Sequence, residues 1–184
     1  MTATNHATVR QLSSTEAFER VPELSAILLD CVEGGASVSF MAPLSRDTAD
    51  SFWNSVAHGV ASGDRLLFVA EDAASGEAVG TVQVLLRFPE NQPHRGEVAK
   101  MLVCRSWRRR GLGGQLMRAA ESGALAKGKT LLVLDTASDD AERLYERLGW
   151  VRVGVVPNFA LMPDGRPCST TFYYKSLDHT PDVA

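Results

Sequence analysis

The chain has 184 residues, 45% hydrophobic and 22% charged, with a formal net charge of -3 at pH 7. That size suits one compact domain, expected over 8–177 with flexible tails at 1–7 and 178–184, and the mild acidity excludes a general nucleic-acid surface. Cys31, Cys104 and Cys168 are odd in number and far apart, the first residues lack a signal peptide's apolar core, and no apolar run reaches spanning length, so a cytoplasmic protein without a membrane partner is expected.

In chain order, a first strand is predicted over 8–12 and a helix over 15–31, with Phe18, Val21, Leu24, Ile27, Leu28 and Cys31 recurring at helical spacing. GGASVSF (34–40) then breaks the pattern as a loop. A second helix is predicted over 47–61, with Phe52, Val56 and Val60 inward. Strands over 66–70 and 78–88 follow, joined across a turn-rich stretch as an antiparallel hairpin. EVAKMLV (97–103) reads as a strand. The next helix spans 114–127, with Leu116, Met117, Ala120, Ala124 and Leu125 on one face and Gly128 as its stop. TLLVLD (130–135) is an apolar run of the kind found in a buried central strand. Ser138 is placed to cap a helix that carries Leu144, Tyr145 and Leu148 and ends at Gly149. Two more strands, WVRVGVV and STTFYYKSL, close an alternating α/β pattern with no repeat or linker.

RRRGLGG (108–114) stands between a predicted strand and a predicted helix. The first amides of a helix lack intrahelical partners and carry the positive end of the macrodipole, while glycines let a ligand approach the backbone. Such a turn suits a phosphate or pyrophosphate group. The dinucleotide fingerprint fails because Leu116 occupies its third glycine position. GALAKGKT (123–130) matches the P-loop pattern, but it closes a helix and opens a strand, the reverse of what a P-loop needs.

VAKMLV followed by RRRGLG resembles the acyl-CoA signature of the GNAT superfamily of N-acetyltransferases, and AERLYERLGW (141–150) resembles that superfamily's second motif. Ser138 stands where the pattern usually has Asn. The segments EGGASV, FM, EV, LDT and PDGR are further similar to the tabtoxin-resistance branch, which acetylates a β-lactam amino acid. The resemblance implies an α/β fold of the α+β mixed-sheet kind. Its sheet would be central and mostly antiparallel, with a splayed parallel strand pair that binds acyl-CoA and about four flanking helices. It implies acetyl-CoA as co-substrate, a small-molecule amine as acceptor, and direct transfer without a covalent enzyme intermediate. A protein or peptide N-acetyltransferase and a non-catalytic acyl-CoA sensor are the alternatives, and the chain is expected as a monomer or a homodimer.

Transfer to an amine requires a base, since an alkylammonium near pKa 10.4 is almost wholly protonated at neutral pH, and an acid for the departing thiolate. Glu97 and Asp135 are the candidate bases, at the acidic positions the resemblance implies. Glu97 shares a face with Ala99, Met101 and Val103 under strict alternation, unless the bulge common in the superfamily alters the register. Tyr145 is implied as the acid.

Met101, Leu102 and Val103 are expected to present backbone to the thioester and pantetheine arm, and Arg108, Arg109, Arg110, Gly111, Gly113 and Gly114 to hold the pyrophosphate. Glu33, Ser37 and Phe40 are the substrate-binding candidates. Each catalytic candidate has a plainer role beside it: Glu97 pairing with Arg95, Asp135 capping the loop before Ser138, Tyr145 packing in the core. Core packing is the expected role of Phe40, Met41, Phe52 and Trp53, and a buried apolar one that of Cys104. His6, His58, His94 and His179 show no metal-ligand spacing, so no metal is expected.

Overall fold

The structure is a computed structural model and describes residues 6–177. In chain order the elements are β1 (Ala7–Gln11), α1 (Ser14–Glu19), α2 (Val21–Glu33), α3 (Arg46–Ala61), β2 (Arg65–Asp72), β3 (Ala78–Leu85) and β4 (Arg95–Val103). After a single 3₁₀ turn (Arg105–Trp107) come α4 (Leu112–Ala126), β5 (Leu131–Thr136), α5 (Asp139–Arg147), β6 (Val151–Leu161) and β7 (Pro167–Ser176). The seven strands form one sheet in the order β1-β2-β3-β4-β5-β7-β6. Every neighbouring pair is antiparallel except β4 and β5.

Alternation along the central strands sends side chains to two cores, one on each face. Leu66, Phe68 and Ala70 of β2 pack with Leu116, Met117, Ala120 and Ala124 of α4, whereas Leu67 and Val69 pack with α1, α2 and α3. Trp53, Leu24, Ile27 and Leu28 are buried on that second face. Each fully buried Leu or Ile stabilises the fold by about 1.5–3 kcal/mol relative to exposure. Gly123 lets α4 lie against β2, because an added Cβ would fall 2.5 Å from the Phe68 ring. Lys129, beyond the end of α4, donates to the carbonyls of Leu86 and Pro93 at 2.8 and 2.7 Å, so the P-loop-like string is a helix end and its lysine a strut.

Several expectations change. The helix read over 15–31 is two helices, because Pro22 in the first turn of α2 lacks an N–H and its ring obstructs the carbonyl four residues back; the count becomes five. Phe18 then sits 36% exposed, edge-on to His58 at 4.9 Å. Trp53, Val56 and Ala57 form the inward face of α3, with Phe52 and Val60 only half-buried beside them. Leu125, one position past Ala124, is turned outward and 48% exposed. In β5 only Leu132 and Leu134 are buried, so its apolar run covers one core and leaves Leu131 and Val133 half-exposed on the other face. Ala7, assigned to a tail, begins β1 opposite Asp72. The other tail residues, 1–5 and 178–184, and with them His179, lie outside the described residues. Among the described residues no helix is long and apolar enough to cross a membrane.

The entry to α1 is a capping box. Ser13 Oγ accepts from the Glu16 amide at 3.3 Å and the Glu16 carboxylate accepts from the Ser13 amide at 2.8 Å, while Arg10 adds a bond at 2.6 Å. The Ser13 bonds, with Arg10, hold the Glu16 carboxyl at about 2. Ser13→Ala should cost about 1 kcal/mol in a urea titration. The deficit of Glu16→Gln relative to the parent should be full at pH 7 and fade as pH falls below the ordinary carboxylate value toward 2, since a depressed native pKa stabilises only while the group is ionised. A deficit constant across that range would rule the arrangement out.

Candidate active site

β4 and β5 pair over only three residues, Arg95 with Leu131, Gly96 with Leu132 and Glu97 with Val133. Beyond them the strands part, and a cleft of about 1100 Å³ opens between 98–103 and 134–138. On its other edge β4 is held by β3, with one extra residue accommodated between Ala99 and Leu102 and Lys100 at φ 50. This bulge reverses the alternation. Val98 packs with α4, yet Leu102, four residues on, packs in the opposite core, while Met101 and Val103 lie against the α4 side. Glu97 therefore does not share a face with Met101 and Val103. It stands with its register partner Val133, and hence with Asp135, on the side of the 34–41 loop.

Glu97 and Asp135 both line the cleft. Arg95 lies 3.9 Å from Glu97, a loose pair at a half-exposed site. Asp135 Oδ2 accepts from the buried Thr170 hydroxyl at 2.7 Å, which fixes the carboxylate across the sheet. Capping of the next turn falls to Thr136, whose hydroxyl accepts from the Ser138 amide at 3.2 Å, and Ser138 Oγ then accepts from Ala141 at 3.4 Å to start α5. Tyr145, on α5, is packed between Trp150 and Tyr173 with ring centroids 6.0 and 5.9 Å away, and it too lines the cleft. Burial, and next the Asp135 charge, push its phenol well above the ordinary value of 10, so the hydroxyl stays protonated.

At the other end of the cleft Gly111 takes φ 80, a left-handed turn that glycine adopts without strain, and caps α4. Among the described residues the amides of Leu112, Gly113 and Gly114 have no carbonyl partner. An added Cβ at Gly113 would come 2.9 Å from Leu144 Cδ2, so the absence of a side chain lets α4 begin close against α5. Arg108, Arg109, Gly111, Gly113 and Gly114 line the cleft, as do Met101, Leu102 and Val103. Arg108 is tied down by its bond to the Val103 carbonyl at 3.2 Å, and Arg109 is exposed at φ 61. Arg110 is not part of the lining; it lies over the Trp107 ring at 4.7 Å.

Ser37, Phe40 and Met41 line the cleft, Trp53 is core, and Phe52 stands edge-on between Phe40 and Trp53 at 5.3 and 5.0 Å. Glu33 lies outside it, paired to Arg105 at 2.7 Å. Burial pushes the Cys104 thiol up to about 11, the reverse of an activated nucleophile. Lys100, which the alternating pattern gave no reason to single out, lines the cleft through the bulge. Its signal in the sequence is a charged residue inside the apolar run from Val98 to Val103.

Residues 63–152 match the family described as "Acetyltransferase (GNAT) domain". Over this stretch the chain is similar to GNAT acetyltransferase domains. Domains of this family are N-acetyltransferases that use acetyl-CoA as co-substrate. The fold is shared with an N-acetyltransferase from Staphylococcus aureus Mu50 at TM-score 0.76 and 20% identity, over 94% of this chain and 99% of that one. A GNAT phosphinothricin acetyltransferase from Sinorhizobium meliloti, solved in complex with acetyl-CoA, is similar at 0.75 and 18%, over 97% and 92%. A ribosomal-protein-alanine N-acetyltransferase from Brucella melitensis is similar at 0.75 and 20%, over 92% and 99%.

The cleft makes a spectroscopic prediction. In an alkaline absorbance titration, the phenolate signal missing from Tyr145→Phe relative to the parent should emerge only well above pH 10. Its emergence at or below pH 10 would contradict the buried, protonated phenol.

Proposed function

We propose that the chain transfers the acetyl group of acetyl-CoA directly to the amine of a small molecule, and that a toxin or antibiotic such as a β-lactam amino acid is the kind of acceptor it disarms. The observation that carries the reading is the convergence of two carboxylates, a protonated phenol and a bare helix start in one cleft. The residues fit the donor. Unpartnered amides at 112–114, with Arg108 and Arg109, suit a pyrophosphate. The β4 edge beyond Glu97 has no strand beside it and offers Met101 to Val103 as hydrogen-bonding backbone, the way an extended chain adds to a sheet. Arg110 is left out of this set. Acetyl-CoA supplies an activated acyl group and a thiolate leaving group.

The chain's own residues do the proton work. Glu97 and Asp135 hold the incoming ammonium and remove its proton, directly or through water. Tyr145 protonates the sulfur as it departs, a role suited to a phenol that burial keeps neutral. Ser37 and Phe40 contact the acceptor. The phosphinothricin acetyltransferase among the similar structures supports a small amino-bearing acceptor, and the ribosomal-protein enzyme gives the rival, a peptide.

Release of free thiol from acetyl-CoA should rise above background with a subset of small amines and not with peptides. Glu97→Gln, Asp135→Asn and Tyr145→Phe should each lower kcat/KM by about 10²–10⁴. Turnover on peptides alone would select the protein-modifying reading, and CoA binding without turnover on any amine would leave a sensor.

A further inference from the structure

Lys100 is the one lysine in the lining of the cleft, and it has no role in the proton transfers. The bulge of β4 turns it to the face that carries the 34–41 loop, where its Nζ donates to Ser39 Oγ at 3.1 Å and lies 5.5 Å from the Phe52 ring centroid. Both partners of that hydrogen bond hold left-handed backbone without being glycine, Lys100 at φ 50 and Ser39 at φ 75. Such conformations are strained and persist where the surroundings impose them.

The lysine shares the cleft lining with two carboxylates but is hydrogen-bonded to neither among the described residues. An ammonium has three donors, and among the described residues Ser39 is the only hydrogen-bond partner of this one. Burial acts most strongly against its charged form; the Asp135 charge pulls the other way, ahead of the opposition from Arg65 and the smaller pull of Glu97. A half-buried ammonium in a cleft wall, with donors unspent on the protein, is placed to receive an anionic oxygen.

We infer that Lys100 anchors an anionic group on the acceptor, so that the substrate class is a zwitterion, an amine that also bears a carboxylate or a comparable anion. This rests on the proposed transfer to a small amine. The ammonium end goes to Glu97 and Asp135, and the anionic end goes to Lys100 with the Ser39 hydroxyl beside it. Two carboxylates alone would favour any cationic amine. The lysine adds repulsion against diamines and a reward for an anion, which is how a site selects by penalty as well as by attraction.

The test compares, on the full-length chain with acetyl-CoA, a free amino acid, its carboxamide and the amine that lacks the carboxyl group. For the parent, kcat/KM should favour the acid over the carboxamide by about 10- to 100-fold, the value of a charge-assisted contact. In Lys100→Met the ratio of the two should collapse toward one, chiefly through KM for the acid, and Lys100→Arg should restore part of it. A ratio within one preparation is unaffected by partial misfolding. A parent enzyme that prefers the carboxamide, or a ratio unchanged in Lys100→Met, overturns the inference while leaving acetyl transfer standing. Absence of CoA release with every acceptor sinks the transfer itself, and the anchor with it.

Discussion

The early divorce of β4 from β5 is the constraint on which the rest of the site depends. Six pairs hold β5 to β7, and β3 holds β4 on its far side, so after Glu97 and Val133 neither strand can follow the other. A sheet that parts leaves backbone N–H and C=O groups without partners, which inside a protein is costly unless water or a ligand supplies them. Here the opening faces the cleft. It also joins the two faces of the sheet: Glu97, Asp135 and Lys100 stand on the side of the 34–41 loop, whereas Tyr145 belongs to the core on the opposite side. An acceptor bound on one face and a thioester reached from the other can meet only where the sheet is interrupted.

Environment then separates the roles of groups that share this space. Tyr145 is walled by Trp150 and Tyr173 and keeps its proton, while Asp135 is exposed and held by a hydroxyl donor. Titratable groups in unlike surroundings, close enough to feel each other's charge, are the usual means by which one site contains both an acid and a base at the same pH. The glycines do comparable work on geometry. Gly111 sets the left-handed turn, and Gly113 brings the start of α4 within contact of Leu144, so the bare amides and the phenol-bearing helix border one cleft.

Much of this was legible because it depends on local pattern. Period-two and period-3.6 repeats, the glycine stops at 128 and 149, and the strand–turn–helix around 108–114 each follow from neighbours in sequence. What escaped was set by tertiary context. Pro22 sits where apolar spacing continues through it, so the period alone reads one helix across two. The bulge at Lys100, which only the family resemblance suggested, is one residue of extra backbone with no glycine to announce it, yet it decides the face on which every later side chain of β4 stands. Glu33 and Arg110 belong to segments that carry the family resemblance, yet each has its own partner in the fold, Arg105 and Trp107. The orientation of Asp135 by Thr170, 35 residues on, could not be read from spacing.

The two ends of the cleft are built by different means, and this bears on what one fold can conserve. The end at 101–103 and 111–114 presents backbone on rigid elements, a strand edge and a helix start, which many sequences can reproduce. The other end is made of side chains from the 34–41 loop and from residues 159–162 at the end of β6, an edge strand whose Val153 and Phe159 are more than half exposed. Side chains on a loop and an edge strand can change with little damage to either core. A fold shared at 18–20% identity with enzymes named for phosphinothricin and for a ribosomal protein is what such a division permits. In the proposed enzyme the main chain holds the donor, and selection of the acceptor rests on a few side chains, Lys100 foremost, which the main chain delivers through a single irregular residue.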